Sequence, residues 1–473
     1  VVFSSASFIF VFLPVVFLLY SLLPGLKSKN ILLTVASLLF YAYGEPTFVV
    51  IMIFSVFMNY LFARRIAAIK TGSLEESKKK KYARNVCATC VGFNIAFIGV
   101  FKYAGFAVES LNAVTGLNLH VPEITLPIGI SFFTFQALSY VIDVYRNPDT
   151  VQKHFGKVLL YISFFPQLIA GPIVKYHDIA EYLEERKADL TEIRCGMQRF
   201  IIGLTKKMLL ANTMGAVADQ MFALAPGDMS AGTAWIGAVC YCMQIFFDFS
   251  GYSDMAIGIG HMFGFTFKEN FDHPYISTSI REFWRRWHIS LSTWFREYLY
   301  IPMGGNRKGK GRTLINKLIV FFCTGLWHGA SWNFVVWGMI HGVSMVIEDA
   351  LGIREKLGRF KFIGWIYSML IVIVAFVLFR ADTFGQGLTV IANMFTGGMG
   401  NDAAVNACVT ALNPYNITMF ALACFVCAPH PRIKAALMER SEIVAGVFTL
   451  ALFALCILDL ATGSFNPFIY FRF

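Results

Sequence analysis

The stretch 314–349 reads LINKLIVFFCTGLWHGASWNFVVWGMIHGVSMVIED. It divides into two apolar runs, 314–332 and 333–349. Each is close to the roughly 20 residues that a helix needs to cross a bilayer core of about 30 Å. Each also carries a histidine, His328 in Leu326-Trp327-His328-Gly329 and His341 in the second run. An ionisable side chain at membrane depth costs about 2.5–3.5 kcal/mol on insertion scales, so its presence points to a role. A related signature, Phe283-Trp284-Arg285-Arg286-Trp287-His288, lies upstream in an amphipathic basic stretch, with His288 40 positions before His328.

The rest of the chain extends this pattern. Its 473 residues are 57% hydrophobic and 15% charged, and the mean hydropathy is +0.60. That composition excludes an ordinary soluble globule and indicates an all-α polytopic membrane protein. The apolar runs allow about 10–12 spans in one membrane domain. The net charge of +11 is confined to short loops, as in cytoplasmic loops of membrane proteins, and not to a nucleic-acid-binding face. The positive-inside rule puts 24–30, 64–85 and 146–157 in the cytoplasm, and both termini outside. The apolar run 6–23 lacks the basic flank and small-residue exit of a cleavable signal peptide. The ten cysteines, including the Cys87/Cys90 and Cys424/Cys427 pairs, lie in apolar runs without metal-ligand spacing and read as buried apolar residues.

The middle of the chain is irregular. Pro166 and Gly171-Pro172 break the run 158–174 into a re-entrant segment, tolerated only where protein or a water-filled cavity surrounds it. Residues 196–210 suggest an interfacial helix, 232–248 a span, and 252–267 a dip that does not cross. The polar stretch 268–313, with Arg281, Arg285, Arg286, Arg296 and the basic run Arg307 to Arg312, reads as a cytoplasmic platform of helices on the membrane surface. His288 then sits at its cytoplasmic mouth, and His328 lies roughly 21 Å into the span pair 314–349.

An imidazole at His328 fits a general base, a proton relay or a buried ring bonded to a carbonyl. His341 reads as structural. Asp248 and Asp254, in Phe247-Asp248-Phe249-Ser250-Gly251-Tyr252-Ser253-Asp254, either pair with platform arginines or line a substrate path. The tryptophans Trp284, Trp287, Trp294, Trp327, Trp332 and Trp337 read mostly as interfacial anchors or packing groups. Nucleophile-elbow, P-loop and zinc-protease motifs are absent, and nothing suggests a metal centre.

Several of these segments resemble one family. They are Leu126-Pro127-Ile128-Gly129-Ile130-Ser131-Phe132, Ala170-Gly171-Pro172-Ile173, the Asp248 segment, and EFWRRWHISLSTWFREYL from Glu282 to Leu299. Gly304-Gly305-Asn306-Arg307, Leu326-Trp327-His328-Gly329-Ala330 and Asn466-Pro467-Phe468-Ile469-Tyr470-Phe471 complete the set. The chain resembles the membrane-bound O-acyltransferase family, in particular its bacterial alginate O-acetyltransferase subgroup, and is similar to peptidoglycan O-acetyltransferase membrane subunits. The resemblance implies a ring of tilted transmembrane helices around a central funnel or tunnel. It implies His328 as the catalytic residue and His288 as its helper, with a weaker carry-over to His154. Arg285, Arg286, Trp327, Asp248 and Asn306 become candidate substrate-binding residues.

It also implies an O-acetyltransferase of the bacterial inner membrane with no bound cofactor. Acetyl-CoA is the expected acyl donor, a periplasmic SGNH-type acetyltransferase or acetyl-relay subunit the expected partner, and an extracytoplasmic polysaccharide such as alginate, peptidoglycan or cellulose the acceptor. A proton-coupled transporter of donor or glycan, with His328 and Asp248 as relay, is the alternative. An interaction scaffold for a secretion complex is a third reading.

Overall fold

A computed structural model describes residues 2–169, 171–353, 359–398, 400–430, 442–462 and 468–469. Among them there is no strand, and the secondary structure is helical throughout. Five helices are long and apolar enough to cross a membrane: Phe48–Thr71, Glu76–Thr115, Trp332–Leu351, Lys361–Arg380 and Glu442–Ala461. The pair Asp402–Ala411 and Pro414–Cys427, bent by 68°, makes a sixth if counted as one broken span. The all-α polytopic class expected from composition therefore holds, with fewer self-sufficient spans than the apolar runs suggested. The difference lies in helices whose apolar run is short or diluted by charge, such as Lys310–His328, which opens on Lys310, Arg312 and Lys317. Large apolar side chains point outward on the spanning helices, with Phe362 71% and Leu458 64% exposed, as a hydrocarbon surround requires.

The chain divides into two compact units, Val1–Phe200 with Met255–Lys268, and Ile201–Asp254 with Glu269–Phe473. In the first, the helix Phe155–Ser163 stops before Pro166, and the short helix Phe165–Leu168 follows. Its residues Leu160, Tyr161, Phe164 and Phe165 are fully buried, so the described residues of the broken segment 158–174 are enclosed by protein, as expected of irregular backbone at depth. Ala170, from the Ala170-Gly171-Pro172-Ile173 segment, and Asn466, Pro467, Tyr470 and Phe471 lie outside the described residues.

The expected span 232–248 and dip 252–267 instead form one helix, Ala231–Met262. Its glycines do not break it, because they serve close packing. A Cβ on Gly251 would lie 2.7 Å from the Gly203 carbonyl oxygen, so only glycine lets these backbones approach. All ten cysteines are free thiols; Cys90 and Cys427 are buried as expected, whereas Cys424 and Cys195 are exposed.

The second unit holds the candidate site. Its core contains Phe246, Phe247, Phe283, Trp284, Trp287, Phe321, Trp337 and Phe376. Of the tryptophans read as interfacial anchors or packing groups, most are packing groups. Trp287 and Trp337 are fully buried, and Trp332 is the exposed member of the set.

Candidate active site

The frame is the antiparallel pair Lys310–His328 and Trp332–Leu351, joined through residues 329–331. Gly325 and Gly329 on one side, and Gly338 and Gly342 on the other, are each four residues apart. A Cβ on Gly325 would lie 2.4 Å from the Phe334 carbonyl oxygen, and one on Gly338 would lie 2.4 Å from that of Phe321 and 3.0 Å from the Gly325 Cα. This small-x-x-x-small spacing lets apolar helices touch through their backbones. It also ends the first helix at His328, whose ring lies 4.8 Å from that of Trp337 on the second. The helix closes four residues earlier than the run 314–332 suggested.

The start of the expected platform packs against this frame. The helix Ile280–Arg286 begins with Ser279, whose side chain accepts from the Glu282 amide. Glu282 reaches back to accept from the Thr278 amide at 2.9 Å. Buried Glu348, from the second helix of the pair, accepts from the Ile280 and Arg281 amides at 2.6 and 3.2 Å. These bonds satisfy amides that the first turn leaves without partners, and the carboxylate faces the positive end of the helix dipole. One face of the segment then buries Phe283, Trp284 and Trp287. Two of the segment's three arginines are paired. Arg281 meets Asp349 at 2.6 Å, and Arg286 meets Glu282 at 3.1 Å and Asp272 at 3.3 Å. The aromatic side chains of the segment join the core of this unit.

His288 is fully buried and takes up left-handed backbone, φ 45°, as the residue preceding the helix Ile289–Phe295. That region disfavours side chains with a Cβ by about 1–2 kcal/mol, and departures of this kind collect at functional sites. Asn270 holds the turn. Its backbone carbonyl accepts from the Ile289 amide at 2.9 Å. Its side-chain oxygen accepts from the Ser290 amide at 3.1 Å and hydroxyl at 2.8 Å. The same oxygen faces His288 Nδ1 at 3.3 Å, while its Nδ2 donates to Ser253 at 3.1 Å. Because the amide nitrogen is used on Ser253, oxygen faces the imidazole, and the network assigns the ring proton to Nδ1. Nε2 is left with its lone pair, buried and without a hydrogen-bond partner among the described residues. Burial lowers the His288 pKa to about 3, and the positive helix end beside it acts in the same direction.

The rings of His288 and His328 lie 6.4 Å apart. The structure therefore brings together the two residues that topology alone separated by about 21 Å. The cause is the inward course of the segment around Trp287. Trp327 flanks both, 5.7 Å from His288 and 4.8 Å from His328. Phe249 closes the His288 side at 4.6 Å, and Phe379 the His328 side at 5.2 Å. His328 is the last residue of its helix, at the carbonyl pole. The two histidines thus stand at opposite poles of their helices.

A cavity of about 280 Å³ lies in the same unit, and neither histidine is among its lining residues. It is lined by Arg281, Arg285, Arg296 and Lys317 on its polar side, and by Trp284, Phe295 and Phe321 among its apolar groups. Ser292 and Thr324, also in the lining, stand one helical turn after His288 and one before His328. Arg285 and Arg296 are exposed and form no ion pair among the described residues. Trp284 separates the cavity from Trp337, 5.8 Å away.

Other expected site residues fall elsewhere. Asp248 is buried and paired with Lys207 at 2.5 Å, and it also accepts from the Ile469 amide at 2.7 Å. Its partner is this lysine and not a platform arginine, and the carboxylate is committed to packing. Asp254 pairs with Lys206 at 2.6 Å. Arg286 is held by acidic neighbours, and Asn306 is exposed in a turn. His154 is exposed in the first unit. His341 is fully buried in an aromatic box, 5.1 Å from Trp337 and 5.4 Å from Trp284. Neither of its ring nitrogens has a hydrogen-bond partner among the described residues. Sequence reasoning passed over Asn270, Ser253 and Glu348. The one signal for the site's frame was the repeated four-residue glycine spacing at 325/329 and 338/342.

Comparison with known proteins adds a family. Residues 151–384 match the profile of the membrane-bound O-acyltransferase family. A Pseudomonas putida protein named a probable alginate O-acetylase is 39% identical over 494 residues, covering 100% of both chains. A Helicobacter pylori peptidoglycan O-acetyltransferase is 34% identical, covering 83% of this chain and 79% of its own. A Bacillus subtilis teichoic acid D-alanyltransferase is 29% identical, covering 46% and 58%.

Proposed function

Because the chain belongs to the membrane-bound O-acyltransferase family, we propose that it is a membrane O-acetyltransferase. It moves an acetyl group from acetyl-CoA toward an extracytoplasmic polysaccharide, alginate or peptidoglycan by analogy with its relatives, and His328 is the general base. The observation that carries this is the pair of buried histidines, 6.4 Å apart, in the same unit as a cavity lined by four cationic side chains. The donor's phosphates are drawn to Arg285 and Arg296, and its acyl arm passes Trp284 toward the histidines. The cavity, at about 280 Å³, suits that arm and not the whole donor.

The reaction then runs as follows. An acceptor hydroxyl attacks the thioester carbonyl carbon while His328 takes its proton. The carbon–sulfur bond breaks, the new carbon–oxygen bond is retained as the ester, and the imidazolium returns the proton to the leaving thiolate. His328 carries the charge at the last residue of its helix. His288 is not suited to be the base, because its low basicity is poorly matched to the task. Its Nε2 lone pair instead accepts a hydrogen bond, from the attacking hydroxyl or from the protonated His328. The acetyl group reaches the glycan through a periplasmic SGNH-type partner, and the protein lies in the inner membrane with both termini outside.

The test is transfer of labelled acetyl from acetyl-CoA by the purified protein with its candidate partner. Transfer that depends on His328 supports the reading. Uptake of donor into proteoliposomes with no ester formed overturns it.

A further inference from the structure

The first unit contains a larger cavity, about 560 Å³, that the chemistry above does not use. This falls within the range of about 300–1,000 Å³ typical of ligand sites. Its polar mouth is formed by Lys27, His154, Lys157 and Glu184, and its floor by Leu26, Ile31 and Val35. Lys157 and Glu184 neutralise one another, and Gln152 also donates to Glu184 at 2.9 Å. Lys27 is exposed and has no acidic partner among the described residues. The mouth therefore carries uncompensated positive charge.

Lys27 also starts a stripe along the helix Leu26–Gly44. Ile31, Val35 and Leu39 follow at four-residue steps and are 56%, 49% and 63% exposed. From Lys27 to Leu39 the stripe rises about 18 Å, close to one leaflet's share of a bilayer core of roughly 30 Å. A cation at one end and an outward apolar ridge below it match the two parts of one molecule.

We propose that this groove is a binding site for an anionic glycerophospholipid, with its phosphate at Lys27, His154 and Lys157 and an acyl chain along Ile31, Val35 and Leu39. Two observations support that occupant over a soluble anion. The ridge continues beyond the charged mouth, and a free phosphate would leave Ile31 and Val35 unused. The loops holding Lys27 and Lys157 also fall on the same, cytoplasmic side by the positive-inside rule, where basic pockets between helices take anionic headgroups.

Native mass spectrometry of the detergent-purified chain tests the site. The probes are phosphatidylglycerol, phosphatidylcholine with the same acyl chains, and tail-less glycerol 3-phosphate. Phosphatidylglycerol is expected to be retained about fivefold over phosphatidylcholine. Lys27→Gln, an exposed and unpaired position, is expected to remove most of that preference with an unchanged melting temperature. Val35→Asn is expected to weaken both lipids. Equal retention of the two lipids overturns the proposal, as does glycerol 3-phosphate held as tightly as phosphatidylglycerol. Undiminished preference in Lys27→Gln overturns the assignment of the mouth.

Discussion

Gly338→Ala separates catalytic positioning from folding. The added methyl carbon would lie 2.4 Å from the Phe321 carbonyl oxygen, about 1 Å short of the 3.4 Å at which ordinary contact begins. Its other neighbours, the Gly325 Cα and amide nitrogen at 3.0 Å, are also backbone, so no side chain can swing aside. The helices Lys310–His328 and Trp332–Leu351 must therefore move apart by about that 1 Å. His328 is carried by the first helix and its neighbour Trp337 by the second, so the site opens by a similar amount. Overpacking of this kind costs about 1–3 kcal/mol, and a misplacement near 1 Å costs about 10²-fold in rate. Alanine is a better helix former than glycine by about 1 kcal/mol, so loss of helicity does not explain a slower enzyme. The assay is turnover of labelled acetyl-CoA, with the melting temperature measured on the same preparation. Gly385→Ala is the control, since its methyl meets nothing within 4 Å. Gly338→Ala is expected to melt cooperatively and turn over about a hundredfold more slowly. Turnover equal to the parent would refute the idea that close glycine packing positions His328.

Three further outcomes follow from the polar network. Asn270→Asp places a carboxylate against His288 Nδ1 and favours its imidazolium; a new ionisation is expected in the pH–rate profile between about pH 5 and 8, and a profile that overlays the parent's contradicts the tautomer assigned to His288. Lys207→Met strands the buried Asp248 carboxylate and is expected to cost about 3–5 kcal/mol, with Lys207→Met/Asp248→Leu recovering most of it in detergent melts; parent-like melting of the single variant contradicts the pairing. In the first unit, the hydrogen bond between His177 and Asp143, 2.8 Å long, raises the His177 pKa above its ordinary 6.5. Its contribution to stability is fully present below about pH 6.5 and is lost as pH rises through the raised folded value. It is modest because the His177 side chain is 43% exposed. Asp143→Asn is expected to flatten the melting temperature across that window.

The sequence made the class and the hairpin 314–349 readable, because length and apolarity are local properties. It also singled out His328, since an ionisable group in an apolar run needs no neighbours to be noticed. The position of His288 was not readable in the same way. Its arginines suggested a surface, and only the packing of Phe283, Trp284 and Trp287 against the hairpin brings it within 6.4 Å of His328. Asn270 lies in an ordinary polar loop, and its importance comes from three donors that converge on one oxygen in space. The glycine spacing was present but indistinct among 38 glycines, because sequence does not say which ones face another backbone. Asp248 reads from the sequence as pairing with a platform arginine or lining a substrate path; the pairing with Lys207 is set by tertiary structure, which the sequence does not show.

The central claim is that His328 is the base for acetyl transfer, and its most direct test is His328→Ala in the labelled-acetyl assay. The side chain is buried at a helix end, so a cooperative melt near that of the parent must accompany the rate. The account predicts a loss of about 10²–10⁴-fold in ester formation while donor binding at the Arg285 and Arg296 cavity persists. A folded His328→Ala protein that still acetylates its acceptor at the parent rate would contradict it.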